Sequence, residues 1–118
     1  MSFLIVEDSN FIREMLRMAL GSRHLIYLAV NLEEGWSLFQ SKRPDMIFMD
    51  VGPPDGNGHE LANQIKMKSP STFIVMATAR RHVDDKIIAA RNHADGFIGK
   101  PFNKKDITDV VERFTALR

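Results

Sequence analysis

Short apolar runs alternate with helical spacing along the whole chain. Phe3-Leu4-Ile5-Val6 is a continuous apolar run, the mark of a strand covered on both faces. Phe11, Ile12, Met15, Leu16, Ala19 and Leu20 then keep helical spacing, with Asp8 and Ser9 as candidate caps and a stop near Gly21. Leu25 to Val30 reads as the next strand. Leu32, Trp36 and Phe39 share one helical face that ends before Pro44, so Trp36 is read as core. Met46-Ile47-Phe48-Met49 is a third buried strand, followed by a turn-rich stretch from Gly52 to Gly58. Leu61 and Ile65 mark a third helix, and Phe73 to Ala77 a fourth strand. Val83, Ile87 and Ile88 fit a shorter, more polar helix. Gly96-Phe97-Ile98 is a brief fifth strand, and Ile107, Val110, Val111, Phe114 and Leu117 form an amphipathic closing helix.

Five strands alternating with five helices predict an α/β fold, a parallel sheet with helices on both faces. Right-handed crossovers make a doubly wound five-stranded sheet the simplest topology, in the flavodoxin-like order 2-1-3-4-5. In that order the winding reverses between strands 1 and 3. Ligands of such sheets sit beyond the carboxyl ends of the strands at that point.

A length of 118 residues fits one domain over residues 1–118, and a hydrophobic fraction of 44% supplies one core. A net charge of +1 favours neither nucleic acid nor a membrane surface. The absence of cysteine excludes disulfides and thiolate metal sites and suits the cytoplasm. No apolar run approaches the roughly 18 residues of a membrane span, and the amino terminus lacks the basic start of a signal peptide. A cytoplasmic domain with no direct nucleic-acid or membrane partner is expected.

The strand ends carry the chemistry. Strand 1 runs into Glu7-Asp8, strand 3 into Asp50, strand 4 into Thr78 and strand 5 into Lys100. In the expected order these strands are consecutive neighbours, so the side chains converge on one crevice. Three carboxylates together repel one another and call for a cation. Magnesium, with its oxygen ligands and retained waters, answers that need. Lys100 adds a compact positive charge for an anionic group, and Thr78 a hydroxyl. Such a site suits phosphoryl transfer by positioning and charge neutralisation.

Glu7-Asp8, the run Phe48-Met49-Asp50-Val51-Gly52-Pro53-Pro54-Asp55-Gly56-Asn57-Gly58, the pair Thr78-Ala79 and Lys100-Pro101-Phe102 together resemble the receiver domains of two-component response regulators. The likeness covers essentially the whole chain, in motif order and in spacing. It implies a phosphorylation-dependent signalling switch in which Asp50 accepts a phosphoryl group from a histidine kinase, a phosphotransfer protein or a small phosphodonor. Such a domain is no enzyme beyond its own phosphorylation and dephosphorylation. The resemblance further implies that Asp8, Asp50 and the Gly52 carbonyl ligate magnesium, with Glu7 acting directly or through water. Thr78 and Lys100 would contact the phosphoryl oxygens, and the Lys100–Pro101 bond would be cis. Phe97 falls at the switch aromatic. The fourth helix, fifth strand and fifth helix would present the face offered to an output domain or a second copy.

The sequence departs from the usual pattern where Pro53 and Pro54 stand together, which stiffens the loop after Asp50. Asn57 holds a place often taken by aspartate, and Phe97 lacks the hydroxyl of the common tyrosine. Gly52 and Arg80 lie at the rim, where side chains tune acyl-phosphate hydrolysis. Arg80 is expected to shield the phosphoryl group from water. Rival motifs fail: the Gly52–Gly58 stretch lacks the Gly-Lys-Ser/Thr ending of a nucleotide loop, and Asn63 replaces the second histidine of a zinc-protease helix beginning at His59. The four histidines share no ligand spacing and are expected at the surface. A magnesium-dependent phosphatase lacks a second acid close after Asp50. A phosphorylation-independent interaction module would leave the acidic set without a purpose.

Overall fold

The computed structural model describes residues 1–78, 87–88 and 93–117. Its strands are β1 (Ser2–Val6), β2 (Leu25–Ala29), β3 (Met46–Asp50), β4 (Phe73–Thr78) and β5 (Gly96–Gly99). They form one parallel sheet in the order β2-β1-β3-β4-β5, as the alternation of elements predicts. The described helices are α1 (Asn10–Leu20), α2 (Leu32–Lys42), α3 (Gly58–Lys68) and the closing helix α4 (Lys104–Leu117). The described residues hold four helices where five were expected, and the segment around Val83 expected to form the other lies largely outside them. Ile87 and Ile88 from that segment are helical and exposed. Arg80 also lies outside the described residues.

The continuous apolar strands are explained by a core on each face. Phe3, Ile5, Met46, Phe48, Val75 and Ile98 point toward α1 and α4, where they meet Leu16, Ile107, Val110 and Phe114. Their neighbours Leu4, Val6, Ile47, Met49, Ile74 and Met76 point the other way, onto Phe39 of α2 and Leu61, Ala62 and Ile65 of α3. Successive strand residues alternate between faces, so both must be apolar when both faces are covered. Trp36 is half-buried on the α2 side, its ring 5.6 Å from that of Phe39. Phe11 and Leu117, expected in the helical stripes, are 74% and 72% exposed; they are the second residue of α1 and the last of α4.

The caps are local. Ser9 accepts the Ile12 amide at the start of α1 and Asn31 the Glu34 amide at the start of α2. Asn103 and Asp106 exchange reciprocal bonds at the start of α4. Because Ser9 performs the capping, Asp8 is left out of it. No described helix is long and apolar enough to cross a membrane.

At the amino-terminal ends of the strands, Lys66 of α3 donates to Pro70 O at 2.9 Å, Thr72 O at 2.8 Å and Asp95 Oδ2 at 2.8 Å. Its ammonium is thereby saturated, and it ties α3 to the entries of β4 and β5. It also lines a cavity of about 620 Å³ with Arg43, Asp45 and Phe114, at the opposite end of the strands from the polar residues singled out above. Lys66→Met should destabilise the domain by about 2 kcal/mol. That is below the roughly 3–5 kcal/mol of a fully buried broken pair, because Asp95 keeps the Ile74 amide. Urea denaturation measures it, and an unchanged midpoint would show the network to be ornamental.

Candidate functional site

Four consecutive strands deliver the polar residues to one crevice. The Glu7 amide donates to Ala29 O at 2.9 Å, which carries the β1–β2 ladder one residue past Val6 and holds Glu7 at the strand end. Its side chain is buried, with Oε2 accepting the Ser9 amide at 3.1 Å, and its carbonyl accepts Arg13 Nη1 at 2.8 Å. Asp50 closes β3 and Thr78 closes β4, and both are buried. The Lys100 amide donates to Thr78 O at 2.6 Å, which brings Lys100 back across the mouth of β4. The Lys100–Pro101 bond is cis.

Lys100 Nζ donates to Asp50 Oδ1 at 3.1 Å and to Glu7 Oε1. One ammonium thus bridges two buried carboxylates. Burial pulls the Lys100 ammonium down, but the contacts with Glu7 and Asp50 outweigh it and hold the group above its ordinary value. Glu7 is pushed up, chiefly by burial and further by the charge of Asp50, against the pull of Lys100 and the Ser9 amide.

Glu7, Asp8 and Asp50 each place a carboxylate oxygen so that these atoms all lie within 4.8 Å of one another. Asp8 is the exposed member, facing the open side of the crevice. An all-oxygen set of carboxylates, one of them open to water, fits a hard divalent cation that keeps part of its hydration. Among the described residues three carboxylates face the one ammonium of Lys100, and that excess of negative charge fits it too.

The loop after β3 is shaped by glycines at defined points. A Cβ at Gly58 would stand 2.0 Å from the Asp50 carbonyl oxygen, so only glycine lets α3 begin this close to the strand end. A Cβ at Gly52 would meet nothing within 4 Å, and Gly52 is exposed. Asn57 accepts the His59 amide at 2.8 Å, so it caps α3 without needing the charge of an aspartate. Phe97, paired in register with Met76, is half-buried on the side of α2 and α3.

The structure corrects the reading of the histidines: His59 is 2% exposed. The close start of α3 on Asp50 turns its first residues inward, and His59 shares its helical stripe with Ala62 and Ile65. That spacing was the available signal. His24 is half-buried, its ring edge-on to Phe3 with centroids 5.0 Å apart. Asp55, which the sequence places in the loop after Asp50 without a role, has one in the structure. Its carboxylate accepts the amides of Leu32 and Glu33 at the start of α2, a contact that depends on tertiary structure.

Comparison with known proteins agrees with this geometry. The chain is 39% identical over 100 residues to the KDP operon transcriptional regulatory protein KdpE of Escherichia coli K12, covering 84% of this chain and 44% of that one. It therefore spans less than half the length of KdpE. It is 32% identical over 109 residues to the chemotaxis protein CheY of Halobacterium salinarum, covering 92% of this chain and 91% of that one. The structure of the chemotaxis response regulator CheY4 of Vibrio cholerae superposes with a TM-score of 0.88 at 28% identity, covering 96% and 97% of the two chains. The family model of the response regulator receiver domain matches residues 3–112, and with the acidic crevice in place the chain belongs to that family.

Proposed function

We propose that Asp50 is the phosphoacceptor of a magnesium-dependent switch. The observation that carries this reading is the convergence of Glu7, Asp8 and Asp50 within 4.8 Å, with Lys100 bridging two of them. Asp8, Asp50 and the Gly52 carbonyl would hold the ion, with Glu7 beside it. When bound, magnesium supplies charge neutralisation for the transferring group. Asp50 attacks the donor phosphorus with a carboxylate oxygen. The bond from phosphorus to the leaving imidazole, or to the leaving oxygen of a small donor, breaks as the acyl phosphate forms, and the leaving group takes its proton from solvent. Lys100 passes from the Asp50 carboxylate to a phosphoryl oxygen, keeping Glu7 as its second partner. Thr78, at the end of the neighbouring strand, offers its hydroxyl to the same group.

The switch then runs through Thr78 and Phe97 to the face formed by β5, the closing helix α4 and the helix expected around Val83, which lies largely outside the described residues. The phosphoryl group shifts this population only through contacts that differ between the two states. That face would serve a second copy or an output domain, and the phosphate source would be a histidine kinase or phosphotransfer protein in the cytoplasm. Hydrolysis would be limited to the domain's own acyl phosphate. Incubation with magnesium and a small acyl-phosphate donor tests the reading. One phosphoryl group per chain is expected, whereas continuous donor turnover would indicate a hydrolase and no incorporation a bare interaction module.

A further inference from the structure

The loop between β3 and α3 is held at several points, but not at Gly52. At its start the Val51 amide donates to Ala77 O at 2.9 Å, and at its end the Gly58 amide donates to Val51 O at 2.8 Å. Gly52 is exposed and would be uncrowded even with a side chain. After it come Pro53 and Pro54, whose rings fix φ and leave the segment few soft dihedrals. Pro53 is buried, and its carbonyl accepts the Gly56 amide at 3.4 Å. The next side-chain anchor is Asp55. Its Oδ1 accepts the Leu32 amide at 2.8 Å and its Oδ2 accepts the Glu33 amide at 3.1 Å.

Those amides belong to the first turn of α2 and have no carbonyl partner within the helix, and the Glu34 amide is taken by Asn31 at 2.9 Å. The helix start is therefore capped twice, once by the residue just before it and once from a loop 23 residues away. The same amides hold the Asp55 carboxyl below its usual range. Contact continues at Gly56, where φ is 152° and a Cβ would lie 3.0 Å from Leu32 Cδ1.

We propose that Asp55 is a positioning residue for the metal site, clamping the loop after Asp50 to the amino terminus of α2 and so fixing where the Gly52 carbonyl stands. This inference rests on the reading of the site given above. The stiff Pro53-Pro54 link carries a displacement at Asp55 and Gly56 back toward Gly52, which is exposed and, among the described residues, uncrowded. On the α2 side the clamp borders Trp36, the only tryptophan of the chain, which lines a groove of about 290 Å³ with Asp55, Gly56 and Leu61.

The test compares Asp55→Ala with Asn31→Ala, which removes a cap from the same helix end without touching the loop. Magnesium affinity is measured by calorimetric titration, stability by urea, and amide exchange at Gly52, Leu32 and Glu33 before metal is added. Asp55→Ala should bind magnesium about tenfold more weakly, at the low end of what loss of a supporting contact costs, and should exchange faster at all three amides. Asn31→Ala should lose stability yet keep the parent affinity. Asp55→Asn, which retains one acceptor oxygen, should fall between Asp55→Ala and the parent. Parent-like affinity in Asp55→Ala, or an equal loss in Asn31→Ala, overturns the inference alone. Failure of the unaltered domain to bind magnesium overturns the reading of the site together with it.

Discussion

Asp50→Asn will take up no phosphoryl group from an acyl-phosphate donor under conditions in which the parent domain is fully modified. The amide is a poor nucleophile and loses the charge that a divalent cation requires. The substitution leaves the fold intact for a structural reason: α3 is seated on the backbone carbonyl of residue 50, through Gly58, and not on its side chain. Lys100 keeps its contact with Glu7. Removing one of three mutually repelling carboxylates also relieves strain in the crevice without metal. The variant should therefore melt at or above the parent temperature while its intact mass stays unmodified. Full incorporation into Asp50→Asn would place the acceptor elsewhere.

Asp8→Asn should weaken magnesium binding at least as much as the roughly 10–100-fold that loss of a supporting contact produces. Here a charged ligand is replaced by a neutral one. Asp8 suits this experiment because it is exposed and caps nothing; Ser9 does that. Loss of affinity with an unchanged urea midpoint would separate ligation from folding. Calorimetric titration reads the effect, and an unaltered dissociation constant would remove Asp8 from the ligand set.

The sheet was legible because its strands are buried on both faces. Phe3 to Val6 and Met46 to Met49 are apolar throughout, a pattern that a half-exposed strand cannot show. The crevice was legible for a related reason: Glu7, Asp50, Thr78 and Lys100 are the first polar side chains after such runs, and a parallel sheet sends all those ends the same way. Contacts between loops and helix starts were not. Nothing local to Asp55 announces that it faces Leu32 and Glu33, because the contact exists only once α2 and the loop are packed against the same strands. The joint hold of Lys100 on Glu7 and Asp50 has no local signal either, because it joins residues 93 and 50 positions apart that only the folded sheet brings together. For His59 the chemistry points to the surface, but its spacing to Ala62 on the buried side of α3 decides its place.

The most direct test of the central claim is to locate the modified residue. The domain is phosphorylated with a small acyl-phosphate donor and magnesium, reduced with borohydride, which converts an aspartyl phosphate to homoserine, and mapped by peptide mass spectrometry. Reduction at Asp50 alone, dependent on magnesium, is the predicted result. Reduction at Glu7 or Asp8, or none in a protein that had gained a phosphoryl group, would contradict it.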